Sequence, residues 1–340
     1  VWGGVYAGGC TPFCLTLDAE NSPDIPDSIL GCGRMEEMIL GKKKKNSSIM
    51  KTEARDAWIM MAPAIIVLSV VAVYPIIRTV WLSLHEMVLT DPGSGYPLIG
   101  LKNYTAIFKD KRAVESIIFT LKFTVTTVCF ELLIGFTAAL IMNKPFKGKG
   151  IVRAAILIPW AIPTSVSAMM WKFIYNDQYG LFNDILLRFG VIDKYKAWLS
   201  TADGSFMALV ITDVWKTAPY MALLILAGLQ MIPEELYEAA EIDGASVFQK
   251  FFYVTLPTVK TTVLVALLFR TLDAFRVFDL ISVMTGGANG TESVSVYTYN
   301  HLMKFLDFGY GSAMAMMIFA VVFIISLIYM RVLGDQITDR

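Results

Sequence analysis

The stretch Ala313–Leu333 reads AMAMMIFAVVFIISLIYMRVL, with a single charge, Arg331, close to its end. About 20 mainly apolar residues suffice to cross a bilayer as a helix. Inside lipid the backbone must satisfy its own hydrogen bonds, and this run lacks the polar alternation of a barrel strand, so it reads as a membrane-spanning helix. Five earlier runs have the same character: Ala57–Leu84, Ile117–Met142, Ile151–Tyr175, Phe206–Met231 and Val259–Met284. The sequence therefore predicts an all-α fold, a polytopic membrane bundle of six transmembrane helices within residues 51–340. Pro63, Pro75, Pro159, Pro163 and Pro219 fall inside the runs and predict kinks, which neighbouring helices or a cavity must absorb.

Composition agrees with the runs. Across 340 residues, 56% are hydrophobic and 17% charged, and mean hydropathy is +0.58, which excludes an ordinary soluble enzyme. The 29 basic and 29 acidic residues cancel, so no nucleic-acid partner is indicated. Residues 1–50 differ from the rest: Gly, Pro, Asp and Ser are mixed without apolar period, and the segment is followed as a whole by the first run. We read it as a disordered or non-native tail. It lacks a basic start, apolar core and cleavage site in that order, so it is not read as a secretory signal. Cys10 and Cys14 invite a metal or a bridge, but no second pair stands at zinc spacing, and free thiols are the plain reading.

Basic residues in short loops set the orientation. Lys42–Lys45, Lys51 and Arg55 precede the first run, and Lys144, Lys147, Lys149 and Arg153 crowd the second loop. Both are expected on the cytoplasmic side, which puts residues 232–256 and both termini there as well. The loop from His85 to Glu115 carries Lys102, Lys109, Lys111 and Arg112, so the rule holds in density rather than strictly.

The cytoplasmic loop at 232–257 is the most informative stretch. Pro233, Glu234, Glu235, Leu236, Tyr237, Glu238, Ala239, Ala240, Glu241, Ile242, Asp243 and Gly244 predict a short helix with Pro233 at its first position. Two acids complement its dipole, and a glycine takes the left-handed end. Ser246 and Gln249 then form a capping box for a second helix. Two physical readings stand: a plug whose small Ala239 and Ala240 enter a groove on another protein, edged by Glu238 and Glu241, or an amphipathic helix lying on the membrane.

These residues resemble the signature of the permease subunits of bacterial ATP-binding-cassette importers. Glu238-Ala239-Ala240, three residues, Gly244, nine residues, an aliphatic residue (here Val254), one residue, then Leu256-Pro257 match it. The resemblance covers residues 55–335 and is similar to the maltose, trehalose and glycerol-phosphate branch, through Pro159-Trp160-Ala161-Ile162-Pro163, Tyr179–Asn183, Leu226–Gln230 and Asp273–Asp279. It implies that Glu238, Ala239, Ala240, Glu241, Asp243 and Gly244 form a coupling helix seated on an ATPase. It also implies an ATPase dimer holding ATP and Mg, a second permease, an extracytoplasmic sugar-binding protein and a multi-pass place in a bacterial or archaeal inner membrane.

Charges within the runs mark a candidate site, because they are costly at bilayer depth. Asp213, Lys216, Thr217 and Tyr220 share one helical face, and Arg270 and Asp273 form a comparable stripe on the next span. They read either as a solute site or as salt bridges that keep the helices in register. The resemblance assigns these six positions to sugar contact. Asp213 and Asp273 offset Lys216 and Arg270, so a neutral polyol, such as a disaccharide of the trehalose or maltose kind, fits better than a phosphate ester. Tyr220, Trp160 or Trp215 would supply an aromatic face. Glu131 is expected to make a structural hydrogen bond, with a proton relay as the alternative. His85 and His301 are the only histidines and lie in predicted outer loops, so no metal centre or nucleophile with its base is expected. No Gly-x-x-x-x-Gly-Lys-Ser/Thr loop is present, so nucleotide belongs to another chain. The chain is thus expected to bind no cofactor and to catalyse no reaction. The rivals are an ion-driven transporter using Glu131 or Asp273, a membrane enzyme, and a sensory subunit.

Overall fold

The computed structural model describes residues 55–90, 93 and 95–338. The expected tail over 1–50, with Cys10, Cys14, Cys32 and Lys42–Lys45, lies outside the described residues. The chain divides into two units, Val1–Tyr74 and Pro75–Arg340. The described residues are helical apart from turns and two isolated bridges, His85 with Leu98 and Val88 with Asp307.

The helices are α1 (Arg55–Ser83), α2 (Lys102–Lys109), α3 (Lys111–Asn143), α4 (Lys149–Ala161), α5 (Thr164–Ile174) and α6 (Leu181–Arg188). There follow α7 (Ala202–Leu229), α8 (Glu234–Ile242), α9 (Val247–Phe275), α10 (Asp279–Met284), α11 (Val294–Tyr299) and α12 (Phe308–Thr338). Five of them, α1, α3, α7, α9 and α12, are long and apolar enough to span a membrane, and the bent pair α4 and α5 brings the number to six if the two together count as one span.

Two expected spans are corrected. Ile151–Tyr175 is two helices meeting at 90°. Pro163 has no N–H to give and pushes Ile162 to extended backbone, φ −73 and ψ 133, so the helix stops there. Pro159 and Pro219, by contrast, sit inside α4 and α7 without ending them. The expected Val259–Met284 span begins earlier and ends earlier. It ends because the N–H groups of Arg276 and Val277 fold back on Asp273 and Ala274, while Ser293 Oγ donates to the Val277 carbonyl at 2.8 Å. It begins at Val247 because Ser246 caps it with the expected box and the helix then runs into the membrane through a π-turn at Phe251–Thr255. A similar π-turn, Ser69–Val73, interrupts α1. Both precede a proline by two residues, Pro257 and Pro75, where the missing N–H and the ring favour wider bonding upstream.

Among the described residues three apolar cores form, of which two border the polar layer. One joins Phe119 and Phe123 of α3, Ala168 of α5, Leu209 and Val214 of α7 and Leu280, Ile281 and Met284 of α10. The other joins Ala139 and Met142 of α3, Met221, Ile225 and Leu229 of α7 and Val259 and Ala266 of α9. Between them, α3, α7 and α9 each turn a polar or charged side chain inward. Gly228 lets α7 lie close against α9: a Cβ there would meet Thr262 Oγ1 at 2.7 Å.

The first residues of α3 are tied to α11 and α12. Asp110 caps α3 by accepting from the Arg112 N–H at 2.9 Å and also accepts from the hydroxyls of Tyr297 and Tyr310. This cap starts α3 at Lys111, ahead of the expected Ile117. Arg112 grips Glu292 through Nε and Nη2 at 2.7 and 2.9 Å.

Candidate functional site

The polar layer centres on Arg270, whose side chain is 3% exposed. Its Nε donates to Glu131 Oε2, its Nη2 to Glu131 Oε1 at 2.8 Å and to Asp213 Oδ2, and its Nη1 to Asp273 Oδ2 at 2.8 Å. Thr217 Oγ1 is 2.7 Å from Glu131 Oε1 and 2.6 Å from the Asp213 carbonyl. Glu131 is thus a full ion-pair partner from α3, a role beyond the hydrogen bond expected for it. A buried guanidinium requires such pairing, because an isolated charge at this depth is costly.

Lys216 is held differently. Its Nζ is 3.3 Å from the Trp160 carbonyl, which loses its own helical partner where α4 stops. The break between α4 and α5 therefore leaves an acceptor that a lysine from α7 takes up.

These groups wall a cavity of about 180 Å³ lined by Trp160, Thr164, Asp213, Lys216, Thr217, Arg270, Asp273, Arg276 and Asp279 among others. A second compartment of about 310 Å³ shares Trp160, Thr217, Arg270, Asp273 and Arg276 and adds Tyr220 and Phe269. All six positions picked from the sequence therefore border this pair of compartments. Trp160 and Tyr220 stack on each other at 5.2 Å with 10° between their planes. Trp215 does not join them: it lines a separate apolar cavity with Phe130, Ile134 and Met207 and meets Trp171 edge-on.

Arg276 and Asp279, charges of the fifth run that its helical spacing leaves off the stripe, line the wall all the same, as does Thr164, which sequence reasoning did not pick. Helical spacing does not carry past Phe275, where the chain turns and brings Arg276 and Asp279 to the cavity from the linker and α10. With Glu131 counted, Arg270, Lys216 and Arg276 face Glu131, Asp213, Asp273 and Asp279, so carboxylates exceed cations. Among the described residues, no group of three or more His, Cys, Asp or Glu side chains is placed to hold a metal ion.

Glu238, Ala239, Ala240 and Glu241 lie on α8, one boundary later than expected: Pro233 takes the cap position and Glu234 begins the helix. Asp243 is the C-cap, and Gly244 follows at φ +74. The Gly244 N–H reaches the Glu241 carbonyl at 3.0 Å and the Ala245 N–H the Ala240 carbonyl at 2.9 Å, the paired bonds of a Schellman end. Two ties fix α8 to α9. Lys250 Nζ meets Glu241 Oε1 at 2.6 Å, and the hydroxyls of Tyr237 and Thr255 lie 3.0 Å apart. Glu241 is thus spent within the chain. Glu238 and Ala239 remain exposed, and Ile242 is 87% exposed.

A family model described as the inner membrane component of binding-protein-dependent transport systems matches residues 131–338. The chain is 43% identical over 288 residues to a trehalose/maltose transport system permease protein of Thermococcus litoralis, covering 84% of this chain and 96% of that one. It is 41% identical over 284 residues to a sulfoquinovosyl glycerol transport system permease protein of Agrobacterium fabrum, covering 82% and 91%. A trehalose transport system permease protein of Mycobacterium tuberculosis is 40% identical over 282 residues, covering 83% and 90%. The fold is shared with a bacterial ABC transporter involved in the import of the acidic polysaccharide alginate, at TM-score 0.73 and 21% identity, covering 84% and 98%.

Proposed function

Because this chain belongs to the family of inner membrane components of binding-protein-dependent transport systems, a family of permeases and not of enzymes, we propose that it forms part of the path of an ATP-driven importer for a neutral sugar. The single observation that carries the reading is the polar cavity walled by α4, α5, α7, α9 and α10 at the level of the Arg270 pairs. Relatives named for trehalose/maltose and for sulfoquinovosyl glycerol are almost equally similar, so similarity does not choose the solute. The charge of the cavity favours a neutral one. Its four carboxylates, Glu131, Asp213, Asp273 and Asp279, outnumber its cations, Lys216, Arg270 and Arg276, so the charge of the cavity as a whole opposes an anion. Its carboxylates, hydroxyls and the Trp160–Tyr220 stack suit a disaccharide of the trehalose or maltose kind.

The driving partner is an ATPase dimer that carries ATP and Mg, and α8 is the surface offered to it. The Schellman end and the two ties to α9 make α8 a rigid extension of a span, so a push on Ala239 and Ala240 is carried into α9 and the Arg270 pairs. An ATPase can bias the inward and outward states only by contacting α8 differently in each. A second permease completes the path, an external binding protein delivers the sugar, and the termini lie in the cytoplasm.

The test is uptake into proteoliposomes holding the full assembly with its binding protein and internal ATP. Labelled trehalose or maltose should accumulate only with ATP, and unlabelled glycerol phosphate should not compete. Preference for glycerol phosphate would overturn the neutral-sugar reading, and uptake without ATP the importer reading.

A further inference from the structure

The inner face of α5 carries polar atoms that the bundle leaves unpaired. Ser167 Oγ and Trp171 Nε1 are buried without a hydrogen-bond partner, and Tyr175 OH, also buried, has the Thr212 side chain of α7 as a neighbour but no well-formed bond. Ser167 is 0% and Tyr175 2% exposed. They recur every four residues, on one face of the helix and its cap, and Thr164, three residues before Ser167, borders the polar cavity. From Thr164 to Tyr175 the helical rise is about 16 Å. Buried donors and acceptors are almost always paired, so three in register call for an explanation.

α10 packs over this face, beside α7, whose Trp215 meets Trp171 edge-on. Leu280, Ile281 and Met284 of α10 are at most 2% exposed and share one apolar cluster with Ala168 and Tyr175, with Trp171 packed against it. One polar tie joins α5 and α10, Lys172 Nζ to the Val283 carbonyl at 3.1 Å. The same α10 contributes Asp279 and Leu280 to the cavity wall. It is a single short element, attached by the Arg276–Phe278 turn on one side and by Gly286 and Gly287, at φ +63 and +85, on the other.

Resting on the importer reading and its topology, we propose that the Thr164–Ser167–Trp171–Tyr175 face is the outer half of the solute path, a lining for a hydroxylated solute and its water that α10 closes in this state. When α10 withdraws, the same atoms gain partners from the solute and from water. The path then runs from the outer end of α5 to the Arg270 cavity. The lining suits a polyol, since it offers an indole N–H and three hydroxyls but no charge.

The experiment uses the full assembly with its cysteines replaced by serine, reconstituted in liposomes, and a Ser167→Cys variant of this chain. A membrane-impermeant methanethiosulfonate is added from the binding-protein side, with the assembly at rest or trapped with ATP and vanadate. Modification of Ser167→Cys should be about tenfold or more faster in the trapped state, as expected for a large shift of population toward an open form. Phe173→Cys, on the exposed face of α5, should show no such difference. Slow or fast modification that is equal in both states, with ATP-driven uptake intact, would overturn the proposal. Tyr175→Phe gives an independent reading: it removes a hydroxyl that has only the Thr212 side chain as a neighbour and no well-formed bond in the closed state, so thermal stability should change little while sugar uptake falls severalfold. Uptake unaffected by that change would also overturn the proposal. If the unmodified assembly showed no ATP-driven uptake, the importer reading itself would fail and this inference with it.

Discussion

The Arg270 layer makes a double-mutant cycle informative. Glu131 is 0% exposed and spends both oxygens on Arg270, with Thr217 as a third donor. Glu131→Leu would strip Nε of Arg270 of its acceptor but leave Asp213 and Asp273 in place. Thr217 would keep the Asp213 carbonyl, so no new orphan arises there. Removing one partner of a buried pair costs about 3–5 kcal/mol, and the remaining carboxylates hold this variant near the low end. Arg270→Met is the harsher change, since it leaves Glu131 and Asp213 facing each other without a cation, and about 4–5 kcal/mol is expected. The double variant replaces the Glu131 pair with apolar contact, while Asp213 retains access to the cavity. It should therefore be more stable than the sum of the single changes by about 2–3 kcal/mol, at the upper end for residues in direct contact. Denaturant unfolding in detergent micelles, followed by tryptophan fluorescence, measures all four corners. Additivity within about 0.5 kcal/mol would refute the claim that Glu131 and Arg270 act as one unit.

Other sites give independent checks. Gly228→Ala places a methyl 2.7–2.9 Å from the Thr262 side chain and should cost about 1–3 kcal/mol in the same unfolding assay, largely recovered by adding Thr262→Ala. Burial works to raise the Asp110 carboxyl, but the Tyr297 hydroxyl, the N–H groups of Arg112 and Ala113 and the Tyr310 hydroxyl outweigh it and hold it below the usual range. Its stabilising effect is therefore complete above about pH 4 and is lost as pH falls through the depressed value. Asp110→Asn should remove that acid-side decline from a stability-versus-pH curve. Gly244→Pro cannot adopt φ +74 and loses the N–H that ends α8, so ATP-driven uptake should vanish while the detergent-purified assembly stays intact. Normal uptake in that variant would count against α8 as the lever.

Each apolar run falls on a helix long enough to span or on the bent pair α4 and α5, and the capping box at Ser246 and Gln249 formed as read. The reason is that both signals are local: hydrophobic length and side-chain-to-backbone bonding within a turn. The breaks were not legible from hydropathy. Ile151–Tyr175 is apolar on both sides of Pro163, and Val277–Met284 is apolar enough to extend the fifth run past the true end at Phe275. The capture of the Val277 carbonyl by Ser293, which helps to end α9, is a contact between distant positions. For the cavity, the stripe on α7 was visible because the helix is unbroken there. Glu131 had a usable signal: a carboxylate in a span needs a cation at the same depth, and Arg270 and Lys216 were the candidates already in view.

The backbone itself points to the same place as the charges. Irregular chain at membrane depth persists only where protein or a wet cavity satisfies the freed groups. The break at Ile162–Pro163 and the turn at Arg276–Phe278 are such irregularities, on elements far apart in sequence, and Trp160, Thr164, Arg276 and Asp279 bring both to one cavity. Lys216 answers the carbonyl freed by the first break. A straight version of either helix would carry these side chains away from the Arg270 layer, so the prolines and the early end of α9 are as much a part of the site as its charged residues. It follows that restoring regular helix at the first break, by replacing Pro163, would close one wall of the cavity and leave Lys216 without its backbone acceptor, although every charged side chain would still be present.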